Sequence, residues 1–287
     1  MTEGFTRGLF KTLAILKPYL PQIVIGGGWA PFLYYHYLVK NRQHAPVLTS
    51  DIDLMVRHQV PIVGSKTIDE ILTVEANLVT VFKNRDNPAV NHYEGTIDGV
   101  EVEIEFLTDQ TGSQQEKVLV VQKGLHAEAL RYVSIIVENT LMLEIDDVES
   151  AQEGSPLFVQ VPKPAAYIFQ KGLSFPLRRD NQKASKDLYY IFDILAGIPE
   201  IYNLTRSDFE GLSLKHPAWF KKFKANLRTQ FESPDAEGPL RVVKQRPADA
   251  FSNLDDDQLR YFAHGTMEQF IKKLEPFEKK TGSGFHF

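Results

Sequence analysis

Residues 23–56 read IVIGGGWAPFLYYHYLVKNRQHAPVLTSDIDLMV, and they hold the most informative pattern of the sequence. The β-branched run at 23–25 predicts a short strand, and the three glycines after it predict a tight turn. Apolar side chains then recur at helical spacing over 29–40, which predicts a helix. Residues 51–56 predict a second strand. The order is therefore strand, glycine turn, helix, loop and strand.

Asp51 and Asp53 lie two residues apart on the second predicted strand, so they share one face. At a rise of about 3.3 Å per residue their Cα atoms are about 6–7 Å apart. Carboxylate oxygens are ligands that Mg²⁺ prefers, and two of them on one face can hold metal ions that also bind substrate phosphates. The same pair also occurs at solvated strand ends, so on its own it is a weak signal.

The glycine turn is a candidate phosphate site. Glycine lets the backbone bend sharply and approach a ligand, and the N–H groups at the start of the next helix favour anions. No Gly-Lys-Ser/Thr follows, which excludes a P-loop, and the G-x-G-x-x-G spacing of a dinucleotide fold is missing. A tight turn without a ligand is the alternative interpretation.

The residues around this segment predict a sheet. Amphipathic spacing predicts helices over 5–16 and 67–73, alternation predicts strands over 76–82, 92–97 and 100–107, and Asp98-Gly99 predicts a hairpin turn. In VEVEIEFL, residues 100–107, apolar side chains alternate with glutamates, so Glu103 or Glu105 can supply a third carboxylate. Such an acidic face is otherwise the wet side of a sheet. Residues 117–145 predict further strand or mixed structure.

Beyond Pro162 the pattern becomes helical. Helices are predicted over 163–173, 182–195, 206–209, 218–231 and 259–274. The predicted fold class is α+β: a mixed sheet with flanking helices in residues 1–155, followed by a mainly helical domain in residues 156–287. The loop at 151–156 is the predicted boundary, and the last residues, KKTGSGFHF, are predicted to be poorly ordered.

Composition narrows the class of protein. The 287 residues are 43% hydrophobic and 24% charged with a net charge of −5, which is typical of a globular protein. The chain has no cysteine, so disulfides, thiolate metal sites and cysteine nucleophiles are excluded. No apolar run reaches the roughly 20 residues of a membrane span, and we expect a cytoplasmic protein that does not contact membranes.

Charge is unevenly distributed along the chain. The net charge is −9 over residues 1–162 and +6 over residues 163–228. This division suits a carboxylate-rich metal site together with a basic surface that collects a phosphate-bearing substrate. A solvated, lysine-rich helix face is the alternative.

In this order, the glycine turn, the D-x-D strand and the later acidic strand resemble the nucleotidyltransferase superfamily, which has the DNA polymerase beta-like fold. IGGGWA followed by LTSDIDLMV is similar to its AbiEii-type toxin-like branch, and VPKPAAYIFQKGLS with RRDNQKASKDLYYIFDIL resembles the helical half of that branch. The resemblance covers roughly residues 20–195. One departure is Trp29, which stands where small or hydroxyl residues are usual.

The resemblance implies a Mg²⁺-dependent transfer of a nucleoside monophosphate from a nucleoside triphosphate to a hydroxyl group. Asp51 and Asp53 would hold two Mg²⁺ ions, and Glu105 would be the third ligand or the base, with Glu103 as the alternative third carboxylate. The implied nucleotide-binding residues are Gly27, Gly28, Trp29, Lys171, Lys186 and Asp187, the last three being the contribution of the helical domain to the cleft.

The acceptor and the partners stay open at this point. The resemblance implies an RNA or tRNA end or a protein as acceptor, and an antitoxin-type protein partner. A small-molecule, antibiotic-type nucleotidyltransferase and a catalytically silent nucleotide-binding module are the alternatives. His36, His92 and His126 lack the i, i+4 spacing of helical metal ligands, so we interpret them as structural.

Overall fold

The computed structural model describes residues 2–44, 47, 49–82, 89–110, 117–146 and 156–281. The chain forms two units, of which the first comprises Met1–Leu33 and Leu48–Lys163 and the second Tyr34–Val47 and Pro164–Phe287. This division falls after Lys163, beyond the predicted boundary loop, because the strand Leu157–Pro162 belongs to the sheet of the first unit. Residues 151–155 of that loop and residues 282–287 of the predicted tail lie outside the described residues, whereas residues 279–281 of the tail are the end of a helix.

Within the described residues, nine strands of the first unit form one mixed sheet. Their bounds are β1 Val24–Ile25, β2 Asp51–Met55, β3 Val79–Phe82, β4 Asn91–Ile97, β5 Val100–Asp109, β6 Val118–Gln122, β7 Leu125–Leu130, β8 Thr140–Ile145 and β9 Leu157–Pro162. The order is β3-β4-β5-β2-β1-β9-β8, with β7 paired to β5 and β6 to β7. Strand β5 runs parallel to β2 and antiparallel to β4.

Helices of the first unit are α1 Thr2–Ile15, α2 Trp29–Leu33, α3 Ile68–Glu70 and α4 Val133–Glu138. A 3-10 helix covers Lys17–Gln22, and wider π-type turns cover Tyr34–Leu38, in the second unit, and Ile71–Glu75. The helix predicted over 29–40 is therefore regular only in its first part, and its later turns widen, with the N–H of Val39 donating to the carbonyl of Tyr34. None of the described helices is long and apolar enough to cross a lipid bilayer.

Helix α1 packs on one face of the sheet. Ile104 and Phe106 of β5 and Ile52 and Leu54 of β2 are buried on that face. At Gly8 of α1, a Cβ atom would lie 3.0 Å from a methyl group of Val100, so the absence of a side chain lets the helix approach β5 closely. Strand alternation thus turns Val102, Ile104 and Phe106 toward a core and Glu101, Glu103 and Glu105 to the opposite face.

The opposite face has an apolar end under α4. Val24, Met55 and Leu107 pack there against Val133 and Ile136 of α4. Because Met55 follows Asp53 by two residues and Leu107 follows Glu105 by two, the carboxylates and this apolar cluster lie on the same side of the sheet.

The second unit is helical. Its helices are α5 Pro164–Ser174, α6 Asn181–Gly197, α7 Ile201–Lys215, α8 Pro217–Gln230, α9 Glu237–Gln245 and α10 Asp256–Thr281, with a 3-10 turn at Phe175–Leu177. Every residue of α5 is buried. A Cβ atom at Gly172 would lie 2.4 Å from the ring of Phe223, so this glycine permits close packing of α5 on α8.

The predicted α+β class, a mixed sheet with flanking helices followed by a helical region, is confirmed. Helix α7 is longer than the predicted 206–209, because Ile201, Thr205, Phe209 and Leu212 together form its buried stripe. A stripe that includes a threonine is harder to recognise from apolar spacing. Helix α9 was not predicted.

Candidate active site

Four carboxylates lie on neighbouring strands of the first unit. Strands β2 and β5 are parallel and in register, with Asp51 opposite Glu103 and Asp53 opposite Glu105. All four side chains are half-buried. Neighbouring strands are about 4.8 Å apart, so the predicted D-x-D pair and both candidate third carboxylates lie in one patch. The donors in this patch are hard oxygens, which fit the preference of Mg²⁺.

The glycine turn lies directly against Asp53. The N–H of Gly26 donates to the carbonyl oxygen of Asp53 at 2.9 Å. Gly27 has a φ of +56°, and a Cβ atom at this position would lie 1.8 Å from Oδ2 of Asp53. Only glycine satisfies both conditions, since any other residue would be strained in this backbone conformation and would collide with the carboxylate. The structure thus places the predicted phosphate turn beside the predicted metal ligands.

Asp51 is held by its neighbours in the same segment. Nε1 of Trp29 donates to the carbonyl oxygen of Asp51 at 3.0 Å, and Oγ of Ser50 donates to Oδ1 of Asp51 at 2.8 Å. Trp29 itself is only 1% exposed. The bulky residue that departs from the usual pattern therefore connects the start of α2 to the start of β2. Its predicted contact with nucleotide stays a prediction.

His92, on strand β4, lies beside the same carboxylates. Its Nε2 atom is hydrogen-bonded to Oε1 of Glu94 and lies 3.6 Å from Oε1 of Glu103. The ligand atoms of His92, Glu94 and Glu103 all lie within 4.8 Å of one another. The His92 side chain is 6% exposed, whereas that of Glu94 is 50% exposed. The group therefore has a buried imidazole at one end and a half-exposed carboxylate at the other.

A cleft of about 650 Å³ opens on this face of the first unit. It is lined by Ser50, Val79, Val81, Glu94, Gly95, Thr96, Glu101, Val102 and Glu103. Three of these residues are acidic and none is Lys or Arg. A volume of this size is typical of small-molecule sites.

In the second unit the structure brings together two of the three predicted nucleotide-binding residues. Nζ of Lys171 lies 2.6 Å from Oδ1 of Asp187, and Nε of Arg178 lies 3.0 Å from Oδ2 of the same carboxylate. Lys171 and Asp187 are 6% and 3% exposed, and Lys186 is half-buried. Lys171 and Asp187 thus form a buried ion pair, and the implied nucleotide contacts of these two residues and of Lys186 stay predictions.

Another buried carboxyl of the second unit is Asp193. Burial raises its pKa above the ordinary range, while the imidazole of His44, whose Nε2 is 3.0 Å from Oδ1, acts in the opposite direction. The ring of Tyr35 stacks on His44, and its hydroxyl donates to the carbonyl oxygen of Asp193. These contacts attach Tyr35 and His44 to α6.

Residues 9–199 match the family model described as Nucleotidyltransferase. The chain belongs to this nucleotidyltransferase family. The enzyme is therefore a transferase with a nucleotide substrate, and the resemblance stated from the glycine turn and the D-x-D strand is confirmed at the level of the superfamily. The assignment to an AbiEii-type branch stays a prediction.

Among solved structures, the chain is similar to an antigenic nucleotidyltransferase-like protein from Paracoccidioides brasiliensis. The identity is 18% and the TM-score 0.37, over 76% of this chain and 93% of that one. None of the curated proteins matches the chain.

Sequence reasoning missed the position of His92. The search for helical i, i+4 spacing does not apply on a strand, where ligands on one face are two residues apart. The pattern His92-Tyr93-Glu94 carries that spacing, and it lies on the first strand of the predicted hairpin. Pairing across the hairpin then places Glu94 opposite Glu103.

Proposed function

We propose that this nucleotidyltransferase is Mg²⁺-dependent and moves a nucleoside monophosphate from a nucleoside triphosphate to a hydroxyl group of an acceptor. The observation that carries the proposal is the in-register pairing of Asp51 and Asp53 with Glu103 and Glu105, beside the turn at Gly27. Asp51, Asp53 and Glu105 would hold Mg²⁺. When bound, the metal neutralises charge on the triphosphate and lowers the pKa of the attacking hydroxyl.

The chain's own residues position the reactants. The backbone at Gly27 lies near Asp53 with no side chain at that residue, which leaves room for phosphate oxygens close to the carboxylates. Trp29 and Ser50 fix the backbone and side chain of Asp51, so this ligand is oriented before substrate binds. Glu105 stands opposite Asp53 and serves as the third ligand or as the base that accepts the proton of the hydroxyl.

An RNA end or a protein is the first candidate acceptor. The AbiEii-type resemblance supports it, together with an antitoxin-type partner. Exposed basic side chains on the surface of the second unit, among them Arg206, Lys215, Lys221 and Lys222, also support an anionic acceptor.

A small hydroxyl-bearing molecule is the second candidate. The cleft that favours it lies on the same face as the carboxylates and contains Glu94, Glu101 and Glu103 among its lining residues. Negative charge at the cleft repels a polyanion and admits a neutral or cationic solute. The two candidates differ in salt dependence, since binding of RNA weakens steeply with salt and binding of a small neutral molecule does not.

The proposal is tested by label transfer from each of the four α-³²P nucleoside triphosphates, with Mg²⁺, to total RNA, protein and small molecules. The matched control is Asp51→Asn/Asp53→Asn, which keeps the shape of both side chains and removes their charge. We expect label in one fraction, lost in the double variant. Label that persists in the variant contradicts the assignment of the metal ligands, and nucleotide binding without transfer favours the silent module.

A further inference from the structure

We infer that His92, Glu94 and Glu103 form a second cation site, selective for a borderline divalent ion of the Zn²⁺ class and separate from the D-x-D ligands. The three residues belong to two neighbouring strands, β4 and β5, on the face that also carries Asp51 and Asp53. The inference concerns binding of the ion alone and does not rest on nucleotidyl transfer.

Charge is the first argument. Glu94 and Glu103 are direct partners across the antiparallel pair β4–β5. Like charges directly opposite each other on a sheet are destabilising, and a cation between them removes the repulsion. The cleft that both residues line contains no Lys or Arg among its described lining residues, and the imidazole of His92 lies beside both carboxylates.

The state of the imidazole is the second argument. The side chain of His92 is 94% buried, and its Nδ1 atom has no hydrogen-bond partner within the part of the chain that the structure describes. Its Nε2 atom, on the other side of the ring, is directed at the two carboxylates. Neutral imidazole is the commonest protein ligand of metal ions, and with the proton on Nδ1 the lone pair of Nε2 is available to a cation.

Distances are the third argument. Donor atoms that share a zinc ion at bond lengths of about 2.0–2.2 Å lie about 3–4 Å apart. Nε2 of His92 and Oε1 of Glu103 are already 3.6 Å apart. Glu94, now in direct contact with His92, has a half-exposed side chain, so a rotation of this side chain opens the remaining space.

Ligand type decides the class of ion. Mg²⁺ and Ca²⁺ prefer sites made of oxygen atoms, whereas one imidazole with two carboxylates suits Zn²⁺ and its neighbours in the first transition row. Three protein ligands leave a fourth position open, as in catalytic zinc sites. Because Glu94 and Glu103 line the cleft, that position is accessible to water or to a solute in the cleft.

The test is a calorimetric titration of the untagged full-length chain with Zn²⁺, without nucleotide and in millimolar Mg²⁺. We expect one equivalent to bind, and to bind equally in Asp51→Asn/Asp53→Asn. Glu94→Gln and His92→Gln each remove one ligand and should weaken binding at least tenfold. The matched control is Glu101→Gln, which removes a neighbouring exposed carboxylate of the same cleft and should leave the affinity unchanged.

Glu94→Gln keeps the test decisive, because the Glu94 side chain is half-exposed and its replacement should not disturb folding. Thermal unfolding with Zn²⁺ gives an independent measure, since an ion that binds only the folded state raises the midpoint. We expect this increase in the wild type and not in Glu94→Gln. Absence of saturable Zn²⁺ binding, or binding that Glu94→Gln leaves unchanged, overturns the inference. Binding lost in Asp51→Asn/Asp53→Asn also overturns it, because the ion would then occupy the D-x-D ligands.

Discussion

One face of the sheet has the same strand alternation at both of its ends, but helix α4 packs on only one of them. At one end β2 and β5 carry Asp53 and Glu105, which are half-buried and lie beside the glycine turn. Two residues further along, Met55 and Leu107 are each only 6% exposed and are packed with helix α4. A period of two places all four on the same side of the sheet, and cover by a helix separates the core end from the reactive end. We therefore expect substitutions at one end to change transfer and substitutions at the other to change stability.

Glu105→Gln is expected to have the largest effect on the reactive end. Because the proposed role of Glu105 is to bind the metal, its loss should remove several kcal/mol of transition-state stabilisation. Transfer should then fall by about a thousandfold or more, with the free energy of unfolding changed by at most about 0.5 kcal/mol. Steady-state transfer and thermal unfolding measure the two quantities.

Glu103→Gln is the paired variant for this prediction. We expect its transfer rate to stay within about tenfold of the wild type, because Glu103 is the carboxylate beside His92. If Glu103→Gln instead loses transfer while Glu105→Gln retains it, the third ligand is Glu103.

At the core end, Ile136→Ala should lower the free energy of unfolding by about 2–5 kcal/mol. Ile136 is 0% exposed and belongs to the cluster with Met55 and Leu107, so its truncation leaves a cavity under α4. Transfer per folded molecule should be unchanged. Urea unfolding checks the first quantity, and Ile136→Val, expected to cost about 0.5–1.5 kcal/mol, is the graded control. A lower transfer rate per folded molecule in Ile136→Ala would show that the two ends are coupled.

Gly27→Ala should lower the free energy of unfolding by about 1–3 kcal/mol, a smaller loss than in Ile136→Ala, because alanine is strained in the left-handed backbone conformation of residue 27. Its methyl group would also displace the carboxylate of Asp53, and a displacement of about 1 Å can cost a hundredfold in rate. Gly64→Ala is the matched control, because Gly64 has a φ of +72° and no neighbouring atom within 4 Å of the position that an alanine methyl group would take. The two variants should lose similar stability, and only Gly27→Ala should lose transfer. Equal transfer in both would contradict the close approach of the turn to Asp53.

Much of the fold was predictable from local patterns. The alternation in VEVEIEFL and the Asp98-Gly99 turn predicted the hairpin of β4 and β5, and these strands are observed at 91–97 and 100–109. Helix α9 was harder to predict, since Gly238 and Pro239 in its first turn are weak helix formers. Packing against its neighbours in the second unit outweighs that propensity.

The sequence by itself determined the residue types and their local spacing: three glycines after a strand, two aspartates on one strand face and two glutamates on another. These depend on the backbone periods of two and 3.6 residues, which need no knowledge of long-range contacts. Only the tertiary structure decided that Asp53 stands opposite Glu105, that Gly27 touches Asp53 and that His92 meets Glu94 and Glu103. Strand order and register arise from pairing between distant parts of the chain, and a shift of one residue would turn every one of these side chains to the other face.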